Sequence, residues 1–359
     1  MDEHAVHVGQ PAVDVGAGPH VASLSAPGGS NVGRVARRAD DWDPERLPDL
    51  SGRRYLITGT NKGLGFFSAL QLAGAGAHVV MTGRNPNRLA AARTALLRNL
   101  ADATPGTVET LLLDTSNLGS VRAAAATARG RRGLDGLLLN AGVVHPPKTR
   151  QLTADRHEMV LASNVLGHFA LAGELLPALA AAGGRMVWVG SVATNLWKYD
   201  PIDPELETDY TPWRAYVQSK VMTASLGFEA DRRLRAAGVP AGSVVAHPGY
   251  STSGRTRGIL GVNEPSRGTR FTDSIQAAFA QSKERGAWPL VRALADPAAE
   301  SGSFWGPGLV TLGAPRRANP PKITTDPERG ARLWDFCQTA TRVAWPFEKS
   351  ARAKRRWRG

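Results

Sequence analysis

The chain has 359 residues, of which 42% are hydrophobic and 21% charged. This composition is ordinary for a globular protein, and the length is sufficient for one large α/β domain or two small ones. Its single cysteine, Cys337, excludes an internal disulfide and a cysteine-rich metal site, and we expect no metal. The net charge of +13 comes from cations scattered along the whole chain, so it does not by itself indicate a nucleic-acid partner.

The two ends of the chain differ in amino-acid composition from the part between them. Residues 1–40 are rich in Gly, Pro, Ala and polar residues without periodicity, which predicts a disordered extension. Residues 346–359 form a basic tail, and residues 41–345 are interpreted as one catalytic domain. No apolar run approaches the roughly 20 residues of a membrane span, and no secretory signal is evident. We therefore expect a cytoplasmic protein without a transmembrane segment.

Short apolar runs recur through the central part of the chain and predict β-strands. Several are apolar at consecutive positions, as in strands that are buried on both faces of a parallel sheet. The predicted strands are 53–59, 78–83, 108–114, 135–140, 185–190 and 241–249, with a last one within 301–313.

Longer segments rich in Ala and Leu lie between these strands and predict helices. They cover 64–75, 86–101, 117–129, 154–180 in two pieces and 213–237, and a helical flap follows over 254–300. Strict alternation of strand and helix predicts right-handed βαβ units. The expected fold is therefore α/β, a Rossmann-type doubly wound parallel sheet of about seven strands in a single domain.

A glycine-rich segment follows the first predicted strand. It consists of Thr58, Gly59, Thr60, Asn61, Lys62, Gly63, Leu64 and Gly65. Such a turn between a strand and a helix lets backbone N–H groups approach a pyrophosphate at the positive end of the helix. Glycine turns also close many βα units for steric reasons alone. Placed after the first strand of such an alternation, however, this one favours dinucleotide binding.

Cations stand where a ribose-binding carboxylate of an NAD enzyme would be expected. Arg84 follows the second strand, and Lys62 lies within the glycine segment. Two cations near the ribose suit a 2′-phosphate, so we expect NADP, with NADPH preferred over NADH. Alternatively, both side chains simply face water.

Polar and small residues end the third and fourth predicted strands. Asp114 is expected either to meet the adenine ring or to cap the helix that begins near Asn117. Asn140, Ala141 and Gly142 would permit close approach of a cofactor, although a plain turn uses the same residues.

A tyrosine and a lysine stand four residues apart in the helix predicted over 213–237. Tyr216 and Lys220 would share one helix face, with Cβ atoms roughly 5–6 Å apart. Hydride transfer to a carbonyl leaves an alkoxide that needs a proton donor. The lysine charge is expected to lower the pKa of the tyrosine, and Ser191, after the fifth strand, could donate a hydrogen bond to the carbonyl oxygen.

The ordered set of these residues resembles the short-chain dehydrogenase/reductase family, and more narrowly its retinol-dehydrogenase-like branch. The matching residues are Thr58, Gly59, Gly63, Gly65, Asp114, Asn140, Ala141, Gly142, Asn164, Ser191, Tyr216, Lys220, Pro248 and Gly249. The resemblance implies a nicotinamide-dependent oxidation of an alcohol or reduction of a carbonyl. It also implies that Lys220 holds the nicotinamide ribose and that Asn164 supports a water in a proton relay. Thr252, after Pro248 and Gly249, is the best candidate for a contact with the nicotinamide amide, although Ser251 and Ser253 are neighbours.

An aromatic-rich connection over 191–215 precedes the catalytic pair. We expect Trp197 and Trp213 to line an apolar substrate site, with residues 250–300 as the opposing lid. These aromatic residues could equally pack the loop onto the domain. A small-molecule carbonyl or alcohol is the expected partner, and the protein could be a homodimer or a monomer. The alternative function is a catalytically silent NADP(H)-binding sensor or scaffold.

Overall fold

The computed structural model describes residues 42–43, 46–100, 106–129, 133–196 and 201–347. The predicted N-terminal extension, Trp197 and residues 348–359 of the basic tail lie outside the described residues. The predicted division of the chain into extension, domain and tail therefore stays a prediction.

The described part of the chain contains an eight-stranded sheet in the order β10-β9-β6-β5-β4-β1-β2-β3. Its strands are β1 Arg54–Ile57, β2 His78–Gly83, β3 Val108–Leu112, β4 Gly136–Leu139, β5 Arg185–Val189, β6 Gly242–Ala246, β9 Phe304–Pro307 and β10 Pro315–Arg317; β7 Ser251–Thr252 and β8 Gln281–Ser282 pair separately. All pairs in the large sheet are parallel except β9 with β10. The doubly wound parallel sheet is thereby confirmed, with an antiparallel edge strand added. The sequence did not indicate β10, because it has only three residues and two of them are arginine.

Helices cover both faces of the sheet. They are α1 Gly63–Gly74, α2 Pro86–Asn99, α3 Leu118–Arg129, α4 Met159–Leu161, α5 Gly167–Ala182, α6 Ala193–Leu196, α7 Pro212–Ala237, α8 Arg267–Ile275, α9 Lys283–Ala295, α10 Lys322–Thr325 and α11 Pro327–Thr341. A π-helical turn over Ala162–Leu166 joins α4 to α5. Helix α11, which packs against α5 and α7, was not predicted.

Two apolar cores lie on opposite faces of the sheet. One joins the sheet to α3, α5, α7 and α11, and the other joins it to α1, α2 and α9. Strands β1 and β4 are buried at every position, as the consecutive apolar residues predicted. Helix α9 belongs to the second core through Ala287, Leu290 and Val291, and the assignment of residues 250–300 as a lid stays a prediction.

Contrary to the expectation that no apolar run approaches a membrane span, the segment Met159–Ala182 has the length and hydropathy of one. However, 72% of its apolar window is buried inside the protein, where it forms part of the first core. Its apolar character is therefore explained by packing between the sheet and its neighbouring helices.

Candidate active site

The glycine segment after β1 is shaped by contacts that leave no room for side chains. Gly59 and Gly63 have positive φ angles of 72° and 64°. A Cβ atom on Gly65 would lie 2.4 Å from the Gly59 carbonyl oxygen and 2.6 Å from Asn140 Nδ2. Asn140 Nδ2 in turn donates to the Thr58 carbonyl oxygen at 2.8 Å. The end of β4 thus holds the glycine segment close to the start of α1.

The amino end of α1 has no side chain that caps it. Lys62 precedes the helix in an extended conformation, makes no capping hydrogen bond and is exposed. Asn61 and Leu64, on either side, are half-buried. Since the first N–H groups of a helix lack intrahelical partners, this end is suited to bind an anion.

Thr58 links β1 to β4 and to the interior of the protein. Its hydroxyl oxygen accepts from the backbone N–H groups of Asn140 and Ala141, both at 2.8 Å. It also lies 2.9 Å from Nε2 of the buried His168, whose Nδ1 is 3.0 Å from the Asn164 carbonyl oxygen. Burial lowers the pKa of His168 to about 3, so the ring is neutral. Because a carbonyl only accepts, we assign the proton to Nδ1 and let Nε2 accept from the Thr58 hydroxyl.

Of the residues predicted for the ribose and adenine, Arg84 follows β2 and Asp114 follows β3, whereas Lys62 precedes α1. Arg84 is exposed and makes no ion pair with any residue that the structure describes. The Asp114 carboxylate accepts from the backbone N–H and the hydroxyl of Ser116 at 2.9 and 2.7 Å. Asn117, rather than Asp114, caps α3 by accepting from Ser120 N, so the capping alternative for Asp114 was wrong.

Tyr216 and Ser191 meet at the carboxyl end of β5. The Tyr216 hydroxyl donates to Ser191 Oγ at 3.1 Å, and Ser191 Oγ also accepts from the Ala193 backbone N–H at 3.2 Å. Tyr216 lies in the first turns of α7, which begins with Thr211 as a capping residue and Pro212 at the first position. The hydrogen of the serine hydroxyl therefore remains available to a further acceptor.

Lys220 lies one turn after Tyr216 and is buried. Its Nζ donates to the Val189 carbonyl oxygen at 2.8 Å. Desolvation lowers the pKa of Lys220 to about 8. Burial also raises the pKa of Tyr216, although the hydrogen bond with Ser191 opposes this. The expected lowering of the tyrosine pKa by Lys220 was therefore wrong for this structure, because the lysine is bonded to β5 and desolvation dominates.

Asn164 connects the loop after β4 to the helix of the tyrosine. Its Oδ1 accepts from Val143 N at 2.7 Å, and its Nδ2 donates to Ser219 Oγ at 2.9 Å. Ser219 Oγ donates to the Tyr216 carbonyl oxygen at 2.7 Å. A Cβ atom on Gly142 would lie 2.9 Å from Asn164 Oδ1, which explains the glycine there. The side chain of Asn164 is thus occupied in positioning α7, and its support of a water stays a prediction.

The turn after β6 completes this edge of the sheet. Gly249 has a φ of 66°, and a Cβ atom there would lie 2.2 Å from the Thr311 carbonyl oxygen. The Pro248 carbonyl oxygen accepts from Ser251 Oγ and Gln281 Nε2. Thr252 Oγ1 is buried and has no hydrogen-bond partner. A buried hydroxyl left without a partner is unfavourable, so Thr252 fits a site that a polar ligand group completes.

A second lysine reaches the glycine segment from α9, and the sequence did not indicate it. Lys283 Nζ would lie 3.9 Å from a Cβ atom on Gly63, and it donates to Ser253 Oγ at 2.6 Å. Burial, followed by the charge of Lys62, lowers the pKa of Lys283. Among the described residues no carboxylate forms an ion pair with it. No local pattern marks such a residue, because it lies far along the chain from the glycine segment that it meets.

Comparison with known proteins identifies the family. Residues 53–199 match the family model described as short chain dehydrogenase. The mouse protein named polyprenol dehydrogenase is 34% identical over 307 residues, which cover 84% of this chain and 87% of the relative. The chain belongs to the short-chain dehydrogenase/reductase family. It is therefore placed among enzymes that act on CH–OH or C=O groups.

Further relatives of this short-chain dehydrogenase/reductase support the same fold and the retinol-dehydrogenase-like branch of the family. Mouse retinol dehydrogenase 14 is 32% identical over 270 residues, which cover 72% of this chain and 78% of the relative. A crystal structure of an uncharacterized protein from Mycobacterium paratuberculosis has a TM-score of 0.68 at 32% identity. The match covers 85% of this chain and 99% of that one. The predicted resemblance to the family and to its retinol-dehydrogenase-like branch is thereby confirmed.

One aromatic residue of the predicted substrate loop lies beside the tyrosine of this family member. The Trp213 side chain is 46% exposed, and its ring centroid lies 6.1 Å from that of Tyr216. Tyr210, by contrast, donates its hydroxyl to the Pro147 carbonyl oxygen and packs the loop onto the domain. Trp213 is therefore the exposed aromatic of this loop among the described residues, and its contact with a substrate stays a prediction.

Proposed function

We propose that this protein is an NADP-dependent oxidoreductase that interconverts a carbonyl and an alcohol, with Tyr216 as the acid and base. The observation that carries the proposal is the Tyr216 hydroxyl 3.1 Å from Ser191 Oγ, with the buried Lys220 one turn along. These groups stand at the same edge of the sheet as the glycine segment, because the strands before them are parallel.

The roles of the side chains follow from their hydrogen-bonding capacity. When bound, the nicotinamide would supply or accept the hydride. Tyr216 would give its hydroxyl proton to the substrate oxygen in reduction and take a proton from it in oxidation. Ser191 would donate its free hydrogen to the same oxygen while negative charge develops there. Lys220 would hold the nicotinamide ribose, and Asn164 would keep α7 in position.

The residues present fit the proposed dinucleotide. The glycine segment and the uncapped end of α1 suit a pyrophosphate, and Thr252 suits the nicotinamide amide. Lys283 adds a half-buried cation beside the same helix end. Lys62 and Arg84 are both exposed, and Arg84 is free of described carboxylates, which favours a 2′-phosphate and hence NADPH over NADH.

An apolar substrate is supported by the exposed tryptophan and by the names of the relatives. Trp213 presents an aromatic surface beside Tyr216. Two relatives are named for polyprenol and retinol, which are lipophilic alcohols. We therefore propose a lipophilic alcohol or its carbonyl counterpart as the substrate class.

Substitution of the tyrosine tests the proposed chemistry. Tyr216→Phe should reduce turnover by about a thousand-fold or more, while NADPH binding, measured by fluorescence, stays within a few-fold. Tyr210→Phe is the matched control, because it also removes one hydroxyl from a partly buried tyrosine.

The pH dependence of the two directions is a second test. Since burial raises the pKa of Tyr216, the rate of carbonyl reduction should stay constant through neutral pH, and the rate of alcohol oxidation should increase as pH rises. Tight NADPH binding without turnover of any carbonyl or alcohol in a broad panel would instead support the sensor or scaffold.

A further inference from the structure

Helix α8 has its polar side toward the protein and its apolar side toward solvent. None of its residues is buried. Asp273 accepts from the Gly254 backbone N–H, and Arg270 donates to the Gly254 and Thr256 carbonyl oxygens. On the other side, Phe271 and Ile275, one turn apart, are 68% and 69% exposed. A surface helix normally has the reverse arrangement, with its apolar stripe against the core.

The exposed apolar surface continues into the segments next to α8. Phe279, which follows the helix, is 67% exposed. Tyr250 is 41% exposed, and its hydroxyl donates to Gln276 Oε1 at the end of α8. The backbone N–H of Tyr250 donates to the Thr311 carbonyl oxygen. Leu309 and Val310, which precede Thr311, are also exposed. We call Phe271, Ile275, Phe279, Tyr250, Leu309 and Val310 the α8 face. Large side chains exposed together in this way mark an interaction surface.

The α8 face adjoins the proposed active site. Tyr250 directly follows Pro248 and Gly249, and Thr252 comes two residues later. Strand β7, which contains Thr252, pairs with β8, which directly follows the turn that holds Phe279. A molecule that meets the α8 face is therefore next to the turn that closes the cofactor site.

The charge around the α8 face favours an anionic partner. Residues 254–285 contain six cationic residues and three acidic ones, and Arg255 and Arg267 are exposed. An apolar centre with surrounding cations matches a lipid surface, where acyl chains lie beneath anionic headgroups. A second copy of this chain is less favoured, because each copy has a net charge of +13 and the two would repel.

We propose that the α8 face inserts into the surface of an anionic lipid bilayer, so that a lipophilic substrate reaches the active site directly from the membrane. Phe271, Ile275 and Phe279 would enter the acyl boundary, and the neighbouring arginines would contact the headgroups. The substrate route rests on the proposed function, whereas the binding to lipid does not.

Sedimentation with vesicles tests this proposal on the full chain. The protein should bind vesicles of phosphatidylcholine with phosphatidylserine and bind phosphatidylcholine alone much less. Phe271→Glu should lower the partition coefficient by about ten-fold, from the lost burial of one large apolar side chain. Leu97→Glu, at an exposed leucine of α2, should leave binding unchanged. No binding to the anionic vesicles, or equal loss in both variants, would overturn the proposal.

Two further measurements separate the possible outcomes. NADPH binding by Phe271→Glu, measured by fluorescence, should equal that of the wild type, so its loss would overturn a purely lipid-binding role for the face. Light scattering should give the same oligomeric state for both proteins. Dissociation of a dimer by Phe271→Glu would assign the face to a second copy and overturn the proposal. If vesicles bind but no carbonyl or alcohol is turned over, the inference stands and the proposed function fails.

Discussion

Replacement of the buried Lys220 by methionine should abolish turnover and at the same time stabilise the fold. Lys220 has no carboxylate partner among the described residues, and its one hydrogen bond goes to the Val189 carbonyl oxygen. Desolvation lowers its pKa from 10.5 to about 8. A shift of this size corresponds to about 3 kcal/mol of unfavourable free energy for the charged form in the folded protein.

The free energy of unfolding that Lys220→Met gains is expected to be smaller than about 3 kcal/mol, because the Val189 carbonyl oxygen loses its hydrogen-bond partner. An unpaired buried carbonyl costs about 1 kcal/mol, which leaves Lys220→Met more stable by about 2 kcal/mol near pH 7. Below the folded pKa of about 8 both states are protonated, so the gain is constant. Between about 8 and 10.5 the unfolded chain binds more protons, so the wild type gains about 3 kcal/mol of stability as pH rises. Above about 10.5 the difference is reversed, and the wild type is more stable by about 1 kcal/mol, the cost of the unpaired carbonyl in the variant.

Urea unfolding followed by tryptophan fluorescence at several pH values measures this difference. Lys322→Met is the matched control, because Lys322 is exposed and its replacement should change the free energy of unfolding little. NADPH oxidation should be lost in Lys220→Met and retained in the control. A Lys220→Met protein that is less stable than the wild type near neutral pH, or whose difference does not vary with pH, would refute the reasoning.

Three other substitutions test the cofactor and substrate sites. Arg84→Ala should weaken NADPH binding by about ten-fold or more and leave NADH binding nearly unchanged, and equal losses for both cofactors in a titration would contradict the 2′-phosphate role. Lys283→Met should weaken NADPH and NADH binding alike by about ten-fold, since Lys283 lies at the pyrophosphate end of α1, and unaltered Kd values would remove it from the site. Trp213→Ala should raise KM for a bulky lipophilic alcohol several-fold and spare a short one, whereas unchanged kinetics with both would assign Trp213 to packing alone.

The sequence alone determined the doubly wound sheet and the position of the proposed site within it. Consecutive apolar residues marked the buried parallel strands, and the glycine spacing marked the turn after β1. Parallel strands end at one edge, so Asn140, Ser191 and Pro248 could be placed together from their order along the chain. Tyr216 and Lys220 could likewise be paired from the sequence alone, because residues four apart in a helix lie on the same face.

Only the tertiary structure decided the contacts between segments far apart in the chain. Lys283 meets the glycine segment, and His168 meets Thr58, through the packing of helices that share no local pattern with them. The bonding of Lys220 to Val189, and the raised pKa of Tyr216, depend on burial, which a sequence does not report. The outward apolar side of α8 is visible only once its polar side is seen bonded to the protein, because helical periodicity gives the two sides of a helix but not their direction.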